Sequence, residues 1–172
     1  MPPFPFAIVP ADIDEKFMLE ALKEAWKAYC ADEVPVGAVL VKNERVIARG
    51  YNQVEVLKDA TAHAEMLCLT AGEVACENWR LSDTVLYCTM EPCAMCAGAL
   101  LLTRVPRLVW GAPDIRHGAN GSWVDILSIR HPMHSISIRK DVLGEFSAQL
   151  MREFFQKKRQ ASKQETYDEE SL

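Results

Sequence analysis

No stretch of this 172-residue chain comes near the roughly 20 consecutive apolar residues that a membrane-spanning helix needs. Early basic residues are missing as well. The opening Met1-Pro2-Pro3-Phe4-Pro5-Phe6 carries none and Lys16 is the first, which argues against a signal or transit peptide and for a cytoplasmic location. Positive charge is scarce overall: 19 Lys and Arg against 24 Asp and Glu leave a net charge of −5. That balance excludes a general nucleic-acid coat, while a local basic patch remains able to serve an RNA. No internal repeat and no linker-like stretch divides the chain. A second Cys-x-x-Cys pair is also absent, so a zinc ribbon is excluded.

What remains is an ordinary globular composition, 49% apolar and 25% charged, suited to one domain with a substantial core. The cysteines are Cys30, Cys68, Cys76, Cys88, Cys93 and Cys96. The chain is larger than most disulfide-stapled domains. Cys30, Cys68, Cys76 and Cys88 are therefore expected to be reduced and mostly buried. Only Cys93 and Cys96 have ligand spacing.

Helices and strands alternate along the chain. Asp12 with Glu15 resembles a capping box, followed by Met18, Leu22, Ala25, Trp26 and Tyr29 at helical spacing to about residue 31. Val36 to Val41 reads as a strand, Asn43-Glu44 as a tight turn and Arg45 to Arg49 as the returning strand. Thr61 fits as the N-cap of a helix carrying His63, Glu65, Leu67 and Leu69 and ending near Gly72. Thr84 to Thr89 forms a strand and Pro92 opens the next helix. Leu108 to Trp110 and Ile136 to Ile138 are short strands flanking a glycine-rich loop, residues 111–122. Phe146, Leu150 and Phe154 line a closing helix. From Ala161 the composition turns polar and acidic, which predicts a disordered tail over 161–172 after one domain at 1–160. The pattern is that of an α/β fold, a three-layer α/β/α sandwich.

The chemistry concentrates in His63-Ala64-Glu65 and Pro92-Cys93-Ala94-Met95-Cys96. One imidazole and two thiolates form a borderline-soft ligand set that favours zinc over magnesium or calcium. Three protein ligands leave the fourth tetrahedral position open to water, the mark of a catalytic zinc. Both groups fall at expected helix starts, where the helix dipole and free N–H groups stabilise thiolate. Zinc lowers the pKa of its water to about 7, giving a hydroxide nucleophile, and Glu65 lies close enough to shuttle its proton. A lone Cys-x-x-Cys would equally suit a redox pair or half of a structural site, and a lone His-x-Glu is usually helix surface. It is the combination that points to catalysis. His131 and His134 flank a Pro-Met pair with no nearby thiol or carboxylate, so they read as loop histidines.

The pattern H-x-E followed by P-C-x-x-C is the signature of zinc nucleobase deaminases. The chain as a whole resembles the bacterial-type tRNA-specific adenosine deaminases of the cytidine deaminase-like superfamily, from about Phe17 to Arg159. The resemblance is carried by the Glu33 to Val41 segment, Gly50-Tyr51-Asn52, Thr61 to Met66, Asn78 to Leu81, Thr89 to Ala99 and Gly111 to Asp114 leading to Ser122. The Phe154-Phe155 pair belongs to it too. It implies a cytidine deaminase-like sandwich with a mixed central sheet. It implies one zinc per subunit on His63, Cys93 and Cys96, with Glu65 as the catalytic proton shuttle. Asn52 matches the residue that hydrogen-bonds the flipped purine, Asp114 a contact to the neighbouring nucleotide, and Val36 and Met90 apolar walls for the base. The implied activity is hydrolytic conversion of adenosine to inosine at the wobble position of a tRNA anticodon loop, by a homodimer.

Arg152, Lys157, Lys158 and Arg159 against Glu153 give residues 151–160 a charge of +3 around Phe154 and Phe155. Aromatics beside phosphate-binding cations are a recurrent RNA device. Phe155, off the core stripe, is the stacking candidate. Lys158 stands where the family often has arginine and lacks the planar fork for a bidentate contact. Two rivals have distinct signatures. A guanine or cytidine deaminase would turn over the free base or nucleoside and leave a stem-loop untouched. A non-catalytic RNA-binding subunit with structural zinc would have no need of Glu65.

Overall fold

The computed structural model describes the backbone of residues 1–170 and the side chains of residues 1–164. Helix α1 spans Ile13–Cys30, and its N-cap is Asp12, whose carboxylate accepts from the Glu15 amide at 2.9 Å. The Glu15 side chain reaches back to the Ala11 amide at 2.7 Å. Two orphan donors of the first turn region are thereby satisfied. Strands β1 (Gly37–Lys42) and β2 (Arg45–Tyr51) form a hairpin whose two turn residues, Asn43 and Glu44, both take left-handed φ. Such a turn matches the twist of the paired strands. The short α2 (Val54–Leu57) and the longer α3 (Ala64–Cys76) follow. Then come β3 (Val85–Met90), α4 (Ala94–Leu102), β4 (Arg107–Ala112), β5 (Ser137–Arg139) and α5 (Gly144–Glu170).

The five strands order as β2-β1-β3-β4-β5. β1 runs antiparallel to both its neighbours, while β3, β4 and β5 are parallel, so the sheet is mixed. Strand alternation divides the core. Val39, Val41, Tyr87 and Val109 face α1, with Phe17, Met18 and Ala21 packed on them. Leu22, Ala25 and Trp26 of α1 meet Leu150 of α5. On the opposite face, Ala38, Leu40, Leu86, Cys88 and Leu108 pack with Cys68 and Leu69 of α3 and Ala97 and Leu100 of α4. Three layers result, with α1 and α5 on one side of the sheet and α3 and α4 on the other. Asp14 of α1, buried, accepts from Tyr87, from both terminal nitrogens of Arg107 and from Arg139. This cluster ties α1 to β3, β4 and β5. The Arg107 guanidinium, helped by Arg139 and Tyr87, holds the Asp14 carboxyl well below the usual carboxylate range.

Several boundaries differ from the sequence reading. Thr61 does not cap α3: its amide and hydroxyl both bond to Asp59, and His63 occupies the N-cap without a side-chain cap bond. α3 also runs past Gly72. A Cβ at that glycine would lie 2.3 Å from Leu40 Cδ2, so Gly72 is a packing glycine and not a stop. The helix ends instead at left-handed Glu77. Pro92 precedes the α4 N-cap, Cys93, because its carbonyl is taken by the Ala119 amide at 2.8 Å. Cys68 and Cys88 are buried, but Cys76 is half-buried and Cys30 exposed, since Cys30 ends α1 on its outer side. The backbone of α5 is helical through Glu170. Residues 171–172 lie outside the described residues. No helix among the described residues is long and apolar enough to cross a membrane.

Candidate active site

Two strand ends and two helix starts converge to build the site. β2 delivers the chain to α3, and Gly50 makes the close approach possible: a Cβ there would stand 2.3 Å from the Ala64 carbonyl oxygen. β3 delivers the chain to α4 through Glu91-Pro92. His63 and Cys93 are each the N-cap of their helix, in extended backbone, and Cys96 lies one turn into α4. Cys93 Sγ stands 3.5 Å from His63 Nδ1 and 3.6 Å from Cys96 Sγ, and Cys96 Sγ stands 3.6 Å from His63 Nδ1.

Zinc–sulfur and zinc–nitrogen bond lengths in a tetrahedron imply N–S separations of about 3.6 Å and an S–S separation of about 3.8 Å. The observed triangle has the dimensions of one face of a zinc tetrahedron. The three atoms form the single group of this kind among the described residues.

The Cys93 thiol is brought down to about 4, first by the hydrogen bond from Cys96 and then by His63. That thiolate, together with burial, pushes Cys96 far up and is the first cause of the raised His63. Metal binding must release the protons that this arrangement shares out. Glu65, in the first turn of α3, is 3% exposed, and burial raises its carboxyl. A buried carboxyl beside the ligand triangle, held toward its protonated form, is suited to accept and return a proton. Cys68 and Cys88 are also raised by burial and belong to the core.

The remaining sequence candidates fall around this centre or away from it. Asn52 follows β2 and is buried. Its amide donates to the Val36 carbonyl at 3.0 Å, and the next amide, of Gln53, donates to the Ala62 carbonyl, one residue before His63. Val36 is half-buried and Met90 buried at the end of β3. Asp114 is half-buried, and its Oδ1 accepts from the amides of Arg116 and His117, so it caps its own loop. Phe154 is buried, whereas Phe155 is 41% exposed. Lys158 pairs with Asp32 at 2.6 Å, on the α5 surface. His134 bonds the Val105 carbonyl and His131 the Met133 amide, as loop histidines do.

Two carboxylates carry more than the sequence reading assigns them. Glu91, buried, accepts from the amides of Asn120 at 2.7 Å and of Asp114 and Ser122 at 3.2 Å each, and from the Ser122 hydroxyl. It locks the loop over 112–122 against the turn that presents Cys93. Gly118 is required there, since a Cβ would lie 2.4 Å from the Glu91 carboxyl carbon. Glu33, equally buried, bonds Asn52. The only hint of either was a glutamate embedded in an otherwise apolar motif.

Similarity to known proteins agrees with this centre. Residues 11–112 match the family described as the cytidine and deoxycytidylate deaminase zinc-binding region. The tRNA-specific adenosine deaminase of Haemophilus influenzae is 44% identical over 158 residues, covering 91% of each chain. The chloroplastic tRNA(adenine(34)) deaminase of Arabidopsis thaliana is 51% identical over 160 residues, although the match spans only 12% of that longer protein. A solved structure from studies of A-to-I editing by tRNA:A34 deaminases at the wobble position superposes with a TM-score of 0.75 at 41% identity. It covers 78% of this chain and 98% of that one.

Proposed function

This chain belongs to the cytidine and deoxycytidylate deaminase family, and from that premise we propose that it deaminates adenosine to inosine at the wobble position of a tRNA anticodon loop. The observation that carries the reading is the His63–Cys93–Cys96 face with buried Glu65 beside it, in a chain similar along nearly its whole length to a tRNA-specific adenosine deaminase.

His63, Cys93 and Cys96 would hold zinc, and the chemistry it supplies when bound is Lewis-acid activation of water. Glu65 takes a proton from the attacking water and delivers it to the ring nitrogen beside carbon six. It then takes the proton of the hydroxyl now on carbon six and passes it to the amine as the carbon–nitrogen bond breaks, so that ammonia leaves and a carbonyl remains. Asn52 holds the purine edge, and Val36 and Met90 wall the base. An anticodon-loop nucleotide is already unpaired, which lowers the cost of extruding it. Asp114 contacts the neighbouring nucleotide, Phe155 stacks on a base and Lys158 meets a phosphate, giving up Asp32 to do so. The protein acts as a cytoplasmic homodimer. Its deaminase domain covers residues 1–160, with 161–172 outside it. The exposed apolar side chains Val56, Leu57 and Leu102, on α2 and α4, support the dimer.

Inosine formation on an anticodon stem-loop tests the reading. Glu65→Ala is expected to lose roughly 10²–10⁴ in rate, the usual worth of a positioned acid–base group, while zinc content stays at one per chain. Full turnover by zinc-loaded Glu65→Ala would remove the proton-shuttle role. Rapid turnover of free guanine or cytidine, with none on the stem-loop, would overturn the substrate.

A further inference from the structure

Glu33 sits in the turn between α1 and β1 with 1% of its surface exposed. A carboxylate removed from water is costly unless it is paired or hydrogen-bonded. No ion pair among those found in the described residues includes Glu33. Its two oxygens instead both serve the loop between β2 and α3: Oε2 accepts from Asn52 Nδ2 at 3.1 Å and Oε1 from the Val56 amide at 2.7 Å. The Glu33 backbone is itself anchored, its amide donating to the Ala28 carbonyl at 2.9 Å.

A carboxylate accepts and cannot donate, so Asn52 must turn its NH₂ end toward Glu33. That contact settles which end of the amide is oxygen. Asn52 Oδ1 and the second N–H are left in defined places, and the Asn52 backbone is pinned to Val36 and, through Gln53, to the residue before His63. We propose that Glu33 is a positioning residue: it sets the amide orientation of Asn52 and so the hydrogen-bonding pattern offered to the purine. The inference rests on the reading of Asn52 as the base contact.

Glu33→Gln is nearly isosteric but can donate as well as accept, so the Asn52 amide is free to turn. The test is a double-mutant cycle of Glu33→Gln and Asn52→Ala in the zinc-loaded enzyme. Measured are kcat and KM for inosine formation on the stem-loop, zinc content and melting temperature. Glu33→Gln is expected to lower kcat/KM about tenfold in the parent and to add no loss in the Asn52→Ala background. Zinc content should be unchanged, and the melting shift should be equal in both backgrounds. Glu33→Asp keeps the charge but is one methylene shorter, and should fall between parent and Glu33→Gln. It serves as the informative variant should Glu33→Gln fold poorly. Equal losses in both backgrounds would overturn the proposal, leaving Glu33 as a staple for α2 through Val56. Parent-like activity of Glu33→Gln beside an impaired Asn52→Ala would overturn it while sparing the base contact. Full activity of Asn52→Ala would refute the base contact itself.

Discussion

At the residue scale, His63, Cys93 and Cys96 are interchangeable in one respect: each supplies one vertex of a triangle whose edges are 3.5–3.6 Å. Removing any vertex should remove the metal. His63→Ala, Cys93→Ser and Cys96→Ser are each expected to lower zinc from one per chain to near zero, measured by metal analysis after dialysis. Cys68→Ser, in the core nearby, should retain it. The three candidate ligands and Glu65 were legible because ligand type and spacing are written in the chain itself. Glu91 and Glu33 were not. Their partners are mostly backbone amides of distant loops, at residues 114, 120, 122 and 56, and a backbone amide leaves no mark in a sequence. Asp114 stands between the two cases: the resemblance points to a nucleotide contact, while the structure shows the cap of its own loop.

At the scale of elements, the site depends on how closely β2 and α3 approach. Gly50 has no Cβ where one would meet the Ala64 carbonyl oxygen at 2.3 Å and the Cys68 amide nitrogen at 2.8 Å. Gly50→Ala should push the first turn of α3 outward, destabilising the fold by about 1–3 kcal/mol as overpacking does. Zinc affinity should fall with it, because His63 caps that turn. Urea unfolding and zinc competition titration would measure the two effects. Hydrophobic periodicity revealed that α3 and α4 exist but misplaced their starts by a few residues. Thr61 and Pro92 have the chemistry of helix starts, yet Asp59 claims the first and the Ala119 amide claims the second. A local turn wins at Thr61 and a tertiary partner wins at Pro92, each within two residues of a candidate metal ligand.

At the scale of the whole molecule, Asp14 joins α1 to three strands through Tyr87, Arg107 and Arg139. Its carboxyl is held below its ordinary value, so its contribution is fully present above the unfolded value of about 3.9 and is lost as pH falls below it. Asp14→Asn should cost about 2 kcal/mol at pH 7. That is a modest figure for a buried pair, because Arg107 and Arg139 keep 34% and 42% of their side chains in water. The gap between parent and variant should hold steady down to about pH 5 and narrow as pH drops below about 4, as denaturation across pH would record.

The net charge of −5 bears on RNA at the same scale. If Arg152, Lys157, Lys158 and Arg159 are the phosphate contacts, single-strand counterion release of ~0.7 per contact sets the slope of log affinity against log salt near about −3. Removing Lys158 should shallow it.

The sequence by itself determined the candidate metal ligands, the carboxylate proposed to move the proton, the class of chemistry and the alternation of helix and strand, because ligand spacing and apolar period are local properties of a chain. Only the tertiary structure decided the edges of the ligand triangle, the burial that raises Glu65, the lock that Glu91 places on its loop and the hold of Glu33 on Asn52. Nearly all of those join residues that are far apart along the chain, and only the packing of helices and loops about the mixed sheet brings them within hydrogen-bond reach.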